Sequence, residues 1–222
     1  MNRSDLAKEW DDYLLELRED AHQLLAWGYA DTRADLSVAN DEYEMTGLLA
    51  AAMEARRDSP QTPERFMLYS VHNEQPISPF GELGKRRPKL DIQIQRHGCR
   101  PTPHFTFEAK RLRDDRLQNV QKTMTAYLGD EGVKRFVASR YASESVEAAM
   151  LGCVQARDAS YWFDQIDSAF EHDMSHGGVD YSLVAGLKPM MILSDLPDER
   201  VSLHTRASGA VIKLFHLFID CR

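Results

Sequence analysis

Three side chains in a short stretch have the chemistry to work on a phosphate: Asp91, Glu108 and Lys110. Over residues 89–95, Leu90, Ile92 and Ile94 alternate with Asp91, Gln93 and Gln95, the period-two pattern of a half-buried strand. A turn over 97–103 contains Gly98 and two prolines, and after it Phe105, Phe107 and Ala109 alternate with Thr106, Glu108 and Lys110. Glu108 and Lys110 therefore project from one face of a second strand, and pairing the two strands brings Asp91 to them. Two carboxylates offer hard oxygen ligands to one or two Mg²⁺ or Mn²⁺ ions, and an ammonium beside them orients water or neutralises charge on a pentavalent phosphate. These are the parts needed to hydrolyse a phosphodiester.

A third carboxylate is expected from the helix that follows Asn40: Glu44, with Glu42 as the alternative. Cations surround the same stretch. Residues 85–116 carry Lys85, Arg86, Arg87, Lys89, Arg96, Arg100, Lys110, Arg111, Arg113 and Arg116 against Asp91, Glu108, Asp114 and Asp115. Of these, Lys85, Arg86, Arg87, Lys89, Arg111 and Arg113 are the expected contacts to backbone phosphates.

Acidic helix, Lys-Leu-Asp-Ile on one strand, then Phe-Glu-Ala-Lys on the next, a pattern spanning residues 44 to 110, resembles the PD-(D/E)xK nuclease superfamily with its restriction-endonuclease-like fold. The resemblance implies that Asp91 is the motif aspartate, that Glu108 and Lys110 are the ExK pair, and that Glu44 is the helix glutamate, with Glu44, Asp91 and Glu108 holding the metal. It further implies an α/β core, a mixed central β-sheet flanked by helices, acting on DNA with RNA left open, in restriction, repair or anti-phage defence. Pro88 stands three residues before Asp91 and no Gln-x-x-x-Tyr follows Lys110, so the likeness is to the superfamily and not to its RecB-like branch.

The elements that must position these residues read as follows. An amphipathic helix over 4–28 repeats Leu6, Trp10, Leu14, Leu17, Ala21 and Leu24 and stops at Gly28; the second helix runs from a cap at Asn40 to Arg56 and Arg57. Residues 66–71 read as a strand, 114–128 as a helix resuming at 133–137, 150–154 as a strand, 158–170 as a helix and 172–180 as a loop. The tail is β-rich, with alternation over 201–206 and a nearly continuous apolar run over 211–219 that must be buried. At 222 residues one nuclease domain around one core is expected, with a helical extension over 1–37, a catalytic core over 40–137 and the remaining core elements over 138–222.

Net charge is −8, and its distribution is uneven: residues 1–60 hold 14 acidic and 6 basic side chains while the remainder is neutral. Such a chain repels a polyanion overall, so a homo-oligomer or a partner subunit is expected to help it engage nucleic acid. No apolar run is long enough for a membrane span and the N-terminus does not resemble a signal peptide, so a cytoplasmic protein is expected. Cys99, Cys153 and Cys221 lack metal or disulfide spacing and read as free thiols. The absence of Walker, GxGxxG and GxSxG motifs argues against NTPase, dinucleotide and serine-hydrolase activities. His72 and His104 lie near the two strands, and His204 and Arg206 share a polar strand face; all four are left out of the site. Tyr127, Phe136, Tyr141 and Trp162 are assigned to the core. The expected function is a metal-dependent endonuclease; the alternative is a non-catalytic subunit that keeps the fold to bind nucleic acid or a partner.

Overall fold

The computed structural model describes residues 3–76, 89–98, 101–116, 118–139 and 145–222. Seven strands form one mixed sheet among these residues: β1 (Tyr69–Pro76), β2 (Lys89–Arg96), β3 (His104–Leu112), β4 (Glu147–Val154), β5 (Leu183–Pro189), β6 (Glu199–Thr205) and β7 (Val211–Asp220). Their order across the sheet is β1-β2-β3-β4-β7-β6-β5. The first three are antiparallel neighbours, β3, β4 and β7 run parallel, and β7, β6 and β5 are again antiparallel. This is the mixed α/β sheet flanked by helices that the sequence implies.

Where one core was expected, the sheet divides the apolar interior in two. On one face α1 (Arg3–Thr32) and α2 (Glu42–Arg57) cover Val71, Ile92, Ile94, Phe105, Phe107, Ala149, Leu151 and Phe215. On the other, α3 (Val120–Leu128), α4 (Val133–Val137) and α5 (Ala159–Ser175) bury Met150, Leu214 and Phe218 with Tyr127, Phe136 and Trp162. Tyr141 and Cys99 lie outside the described residues, and Cys153 and Cys221 are buried free thiols. β4 and β7 are thus covered on both faces, which is why they read as nearly continuous apolar runs.

Local differences from the sequence reading have physical causes. α1 does not stop at Gly28 but continues to Thr32; a Cβ at Gly28 would stand 2.6 Å from Met53 Cγ and 3.1 Å from Leu49 O, so the glycine is a notch into which α2 packs. Residues 64–68 form a 3₁₀ turn that sinks Phe66 against Trp27, and the strand begins only at Tyr69. α3 starts at Val120 with Asn119 as its cap, the preceding stretch being a loop closed by Asp115 N–H donating to Gln118 O. α5 runs to Ser175, into the expected loop. β5 is a strand the sequence reading lacks: a half-exposed edge with two register shifts shows no clean alternation.

His204 and Arg206, read as facing water, are buried. His204 belongs to a chain of hydrogen bonds with one consistent direction. Tyr181 O accepts from His204 Nδ1–H at 2.8 Å, which leaves His204 Nε2 to accept from Ser202 Oγ–H at 2.7 Å. Ser202 Oγ then accepts from His216 Nε2–H at 2.8 Å, and Tyr127 O–H donates to His216 Nδ1 at 3.0 Å. Both rings are neutral in this arrangement, and burial pushes His204 down to about 4 and His216 to about 3, the latter helped by His204. A histidine depressed on folding stabilises fully above its unfolded pKa of about 6.5 and loses that contribution as pH falls toward the folded value. The contribution of these two rings to stability is therefore expected to fall from about pH 6.5 downward, with the His216 ring still neutral by NMR at pH 5; a ring titrating near pH 6.5 would contradict this assignment.

Candidate active site

β2 and β3 are paired only up to Ile92↔Phe107. Beyond that point the strands part, and the side chain of Asp91 fills the gap: its Oδ2 accepts from Ala109 N–H at 2.7 Å in place of a ladder carbonyl. Glu74 on β1, beside the same step, has a positive φ of 52°, and the β1–β2 register skips from Asn73↔Ile92 to Gln75↔Leu90. β2 accordingly changes face: Ile92 and Ile94 pack toward α1 and α2, but Leu90 joins the cluster on the opposite side, where a single apolar face was expected.

Glu108 and Lys110 lie on the face of β3 opposite Phe105, Phe107 and Ala109, as expected from the alternation. Lys110 is paired across to Gly152, whose position has no room for a side chain: a Cβ would come within 2.4 Å of Phe218 and 2.7 Å of Leu112. The ammonium is the meeting point of the site. It stands 2.9 Å from Glu108 Oε1, 3.1 Å from Glu42 Oε1 and 4.0 Å from Asp91 Oδ2, and donates to Ala109 O at 2.7 Å. Asp91, Glu108 and Lys110 are thus brought together.

The helix carboxylate that joins them is Glu42 rather than Glu44. Glu44 is engaged elsewhere: Asp41 caps α2 by accepting from Glu44 N–H at 2.8 Å, and Glu44 Oε2 accepts from Asp41 N–H at 3.0 Å. This reciprocal capping box turns Glu44 back onto the helix end and leaves Glu42, the first helical residue, to reach Lys110. The Asp-x-x-Glu spacing that announces such a box was present in the sequence and would have singled out Glu42.

Electrostatics follow from burial. Glu108 is 2% exposed; desolvation, then the neighbouring Asp91, push it up to about 8 against the pull of Lys110. Asp91 is raised to about 6, again first by desolvation, with Lys110 opposing and Glu42 adding to the rise. For Lys110 burial alone would lower the pKa, but Glu108, Glu42 and Asp91 together carry it above its ordinary value. One cation is shared among three carboxylates, so the site holds an excess of negative charge in a poorly solvated place.

Glu108 Oε2 is buried and accepts no hydrogen bond. An orphaned carboxylate oxygen beside a second carboxylate with spare lone pairs is a donor set that suits a hard divalent cation such as Mg²⁺ or Mn²⁺. Among the described residues, no group of three or more His, Cys, Asp or Glu side chains is gathered at metal-holding distance; the three carboxylates are gathered at the ammonium instead.

Of the expected phosphate contacts, Lys85, Arg86 and Arg87 lie outside the described residues. Lys89 donates to Glu74 at 2.5 Å, Arg113 is paired with Asp115, and Arg111 is half-buried on β3. His72 bonds Ser70 and His104 bonds Ser145, away from the carboxylates. His172 and His176, spaced four apart at the end of α5, bring their rings to 4.2 Å; they form a His-x-x-x-His pair where none was expected among the histidines. Some of the acidic N-terminal side chains are engaged in ion pairs: Glu16 with Arg96, Asp20 with Arg65, Asp31 with Arg56.

No protein-family model, curated protein or solved structure matches the chain. No helix of the described residues is long and apolar enough to cross a membrane.

Proposed function

We propose that the chain is a Mg²⁺-dependent endonuclease of the PD-(D/E)xK kind that hydrolyses phosphodiester bonds in DNA. The observation that carries the reading is the meeting of Glu42, Asp91 and Glu108 at the Lys110 ammonium, in the gap where two strands part, with one Glu108 oxygen left without a donor. Asp91 and Glu108 hold the metal, with Glu42 as the third candidate ligand. When bound, the metal supplies Lewis-acid polarisation of the phosphoryl oxygen and a more acidic water. Asp91 is oriented for its part by Ala109 N–H, and Glu108 is desolvated and so has most to gain from a cation. Lys110 places a positive charge where negative charge accumulates on the phosphorus oxygens in the transition state.

Incubation with plasmid, linear DNA and RNA, with Mg²⁺ or with EDTA, tests the reading. Cleavage of DNA that needs the metal is the expected result, with substrate binding that weakens steeply as salt rises. Nucleic acid bound but uncut in Mg²⁺ and in Mn²⁺ would sink the catalytic reading and leave a non-catalytic binding subunit.

A further inference from the structure

The carboxylate of Glu42 reaches the site from a helix, while Glu108 and Lys110 reach it from a strand, so something must set the distance between the two. Gln155, just beyond the end of β4, is built to do this. Its backbone N–H donates to Leu112 O at 3.0 Å, and that of Ala156 to the same oxygen at 3.2 Å, which ties it to the end of the strand that carries Glu108 and Lys110. Its side chain reaches the other way. Gln155 Nε2 donates to Ser37 O and Asn40 O, both at 3.0 Å, the two carbonyls of the turn that leads into α2.

That turn transmits position to Glu42 through a short series of hydrogen bonds. Asn40 N–H donates to Ser37 O, and Ser37 N–H and Oγ–H both donate to Asn40 Oδ1. Asp41 follows as the cap of α2, and Glu42 is next. The amide of Gln155 has only one usable orientation, because flipping it would set its oxygen against two carbonyl oxygens. In that orientation Gln155 Oε1 is buried without a partner. An apolar side chain of the same length would leave the Ser37 and Asn40 carbonyls without this donor.

We infer that Gln155 is a positioning residue that holds Glu42 at the metal-binding carboxylates by clamping the turn before α2 to the end of β3. The inference rests on the nuclease reading for the role of Glu42. Partners that orient metal ligands from behind are commonly worth 10- to 100-fold in metal affinity or activity.

The test is Mn²⁺ affinity by isothermal titration calorimetry for the full chain and for Gln155→Met, in the natural background and in Glu42→Gln. Methionine keeps the length and removes the donor. If Gln155 acts through Glu42, Gln155→Met weakens Mn²⁺ binding about tenfold in the natural background, and less than about twofold once Glu42 is Gln, because the two changes then share one effect. Equal losses in both backgrounds, or no loss in either, overturn the inference. Should the unaltered chain bind no Mn²⁺, the metal reading fails by itself; the same cycle of variants measured by urea unfolding then decides the clamp, with non-additive stabilities expected and strict additivity refuting it. Gln155→Glu, which sets a carboxylate against the two carbonyls, should reproduce the loss in either readout.

Discussion

Replacing Lys110 by Met or Ala is expected to lower DNA cleavage by at least about a hundredfold, the cost of removing a charge-stabilising donor from a site of this kind. The change will not be silent in the fold. A lysine on the polar face of an alternating strand is ordinarily solvent-facing, and its loss costs little; Lys110 is instead 6% exposed and carries the positive charge for three carboxylates. Removing one partner of a buried pair costs about 3–5 kcal/mol when the other charge must stay. Here Glu108 and Asp91, already raised to about 8 and about 6, can take up protons instead. The variant is therefore expected to match the parent near pH 5 and to fall progressively below it toward pH 9. Thermal unfolding in EDTA across that range reads the stability and a plasmid assay in Mg²⁺ reads the cleavage. Cleavage at the parental rate would remove Lys110 from the chemistry.

Glu108→Gln should act in the opposite sense on stability. Because the folded pKa of Glu108 lies above its unfolded value of about 4.5, this carboxyl holds a proton in the native protein that it lacks in the unfolded chain between about pH 4.5 and 8, and its contribution to stability is lost as pH rises through that window. Glutamine keeps the neutral shape and removes the titration. In EDTA the variant is expected to resemble the parent below pH 4.5 and to melt several degrees higher above pH 8. Mn²⁺ should reverse the ranking, since a ligand that binds only the native state raises its melting temperature and the variant has lost the oxygen that the metal needs. The parent should release a proton on binding Mn²⁺ at pH 7, and Glu108→Gln should not. A parent that melts at the same temperature with and without Mn²⁺ would count against a metal at Glu108.

The strands that carry the site were legible because apolar residues stand at alternate positions over 90–94 and 105–109, although both faces of β3 are buried. What escaped was decided by contacts between distant residues. Nothing local distinguishes Gly28 as a notch from Gly28 as a stop, since Met53 and Leu49, which fill the space, are 21 or more residues away. His204 and Arg206 stand at the polar positions of an alternating stretch, yet it is the polar side of that stretch that is buried, while Leu203 and Thr205 are half-exposed. The parting of β2 from β3 at Asp91 has no marker of its own, although it is what admits Glu42 to Lys110. Glu42 does carry a local signal, the Asp41-x-x-Glu44 spacing of a capping box, because the cap of α2 is Asp41 and not Asn40.

The order of strands in the chain and in the sheet has a consequence for how the protein is made. β7 follows every other strand in sequence but lies between β4 and β6. Until it is in place, β4 offers one open edge and β6 another, and β5 and β6 can only form a detached hairpin. An unfinished chain is thus exposed at two apolar strand edges, a template for association with other chains. Sheet closure must also await contacts between segments far apart in sequence, which makes the final step slow. A chain cut before Val211 is therefore expected to be insoluble, which expression of the truncated chain would check.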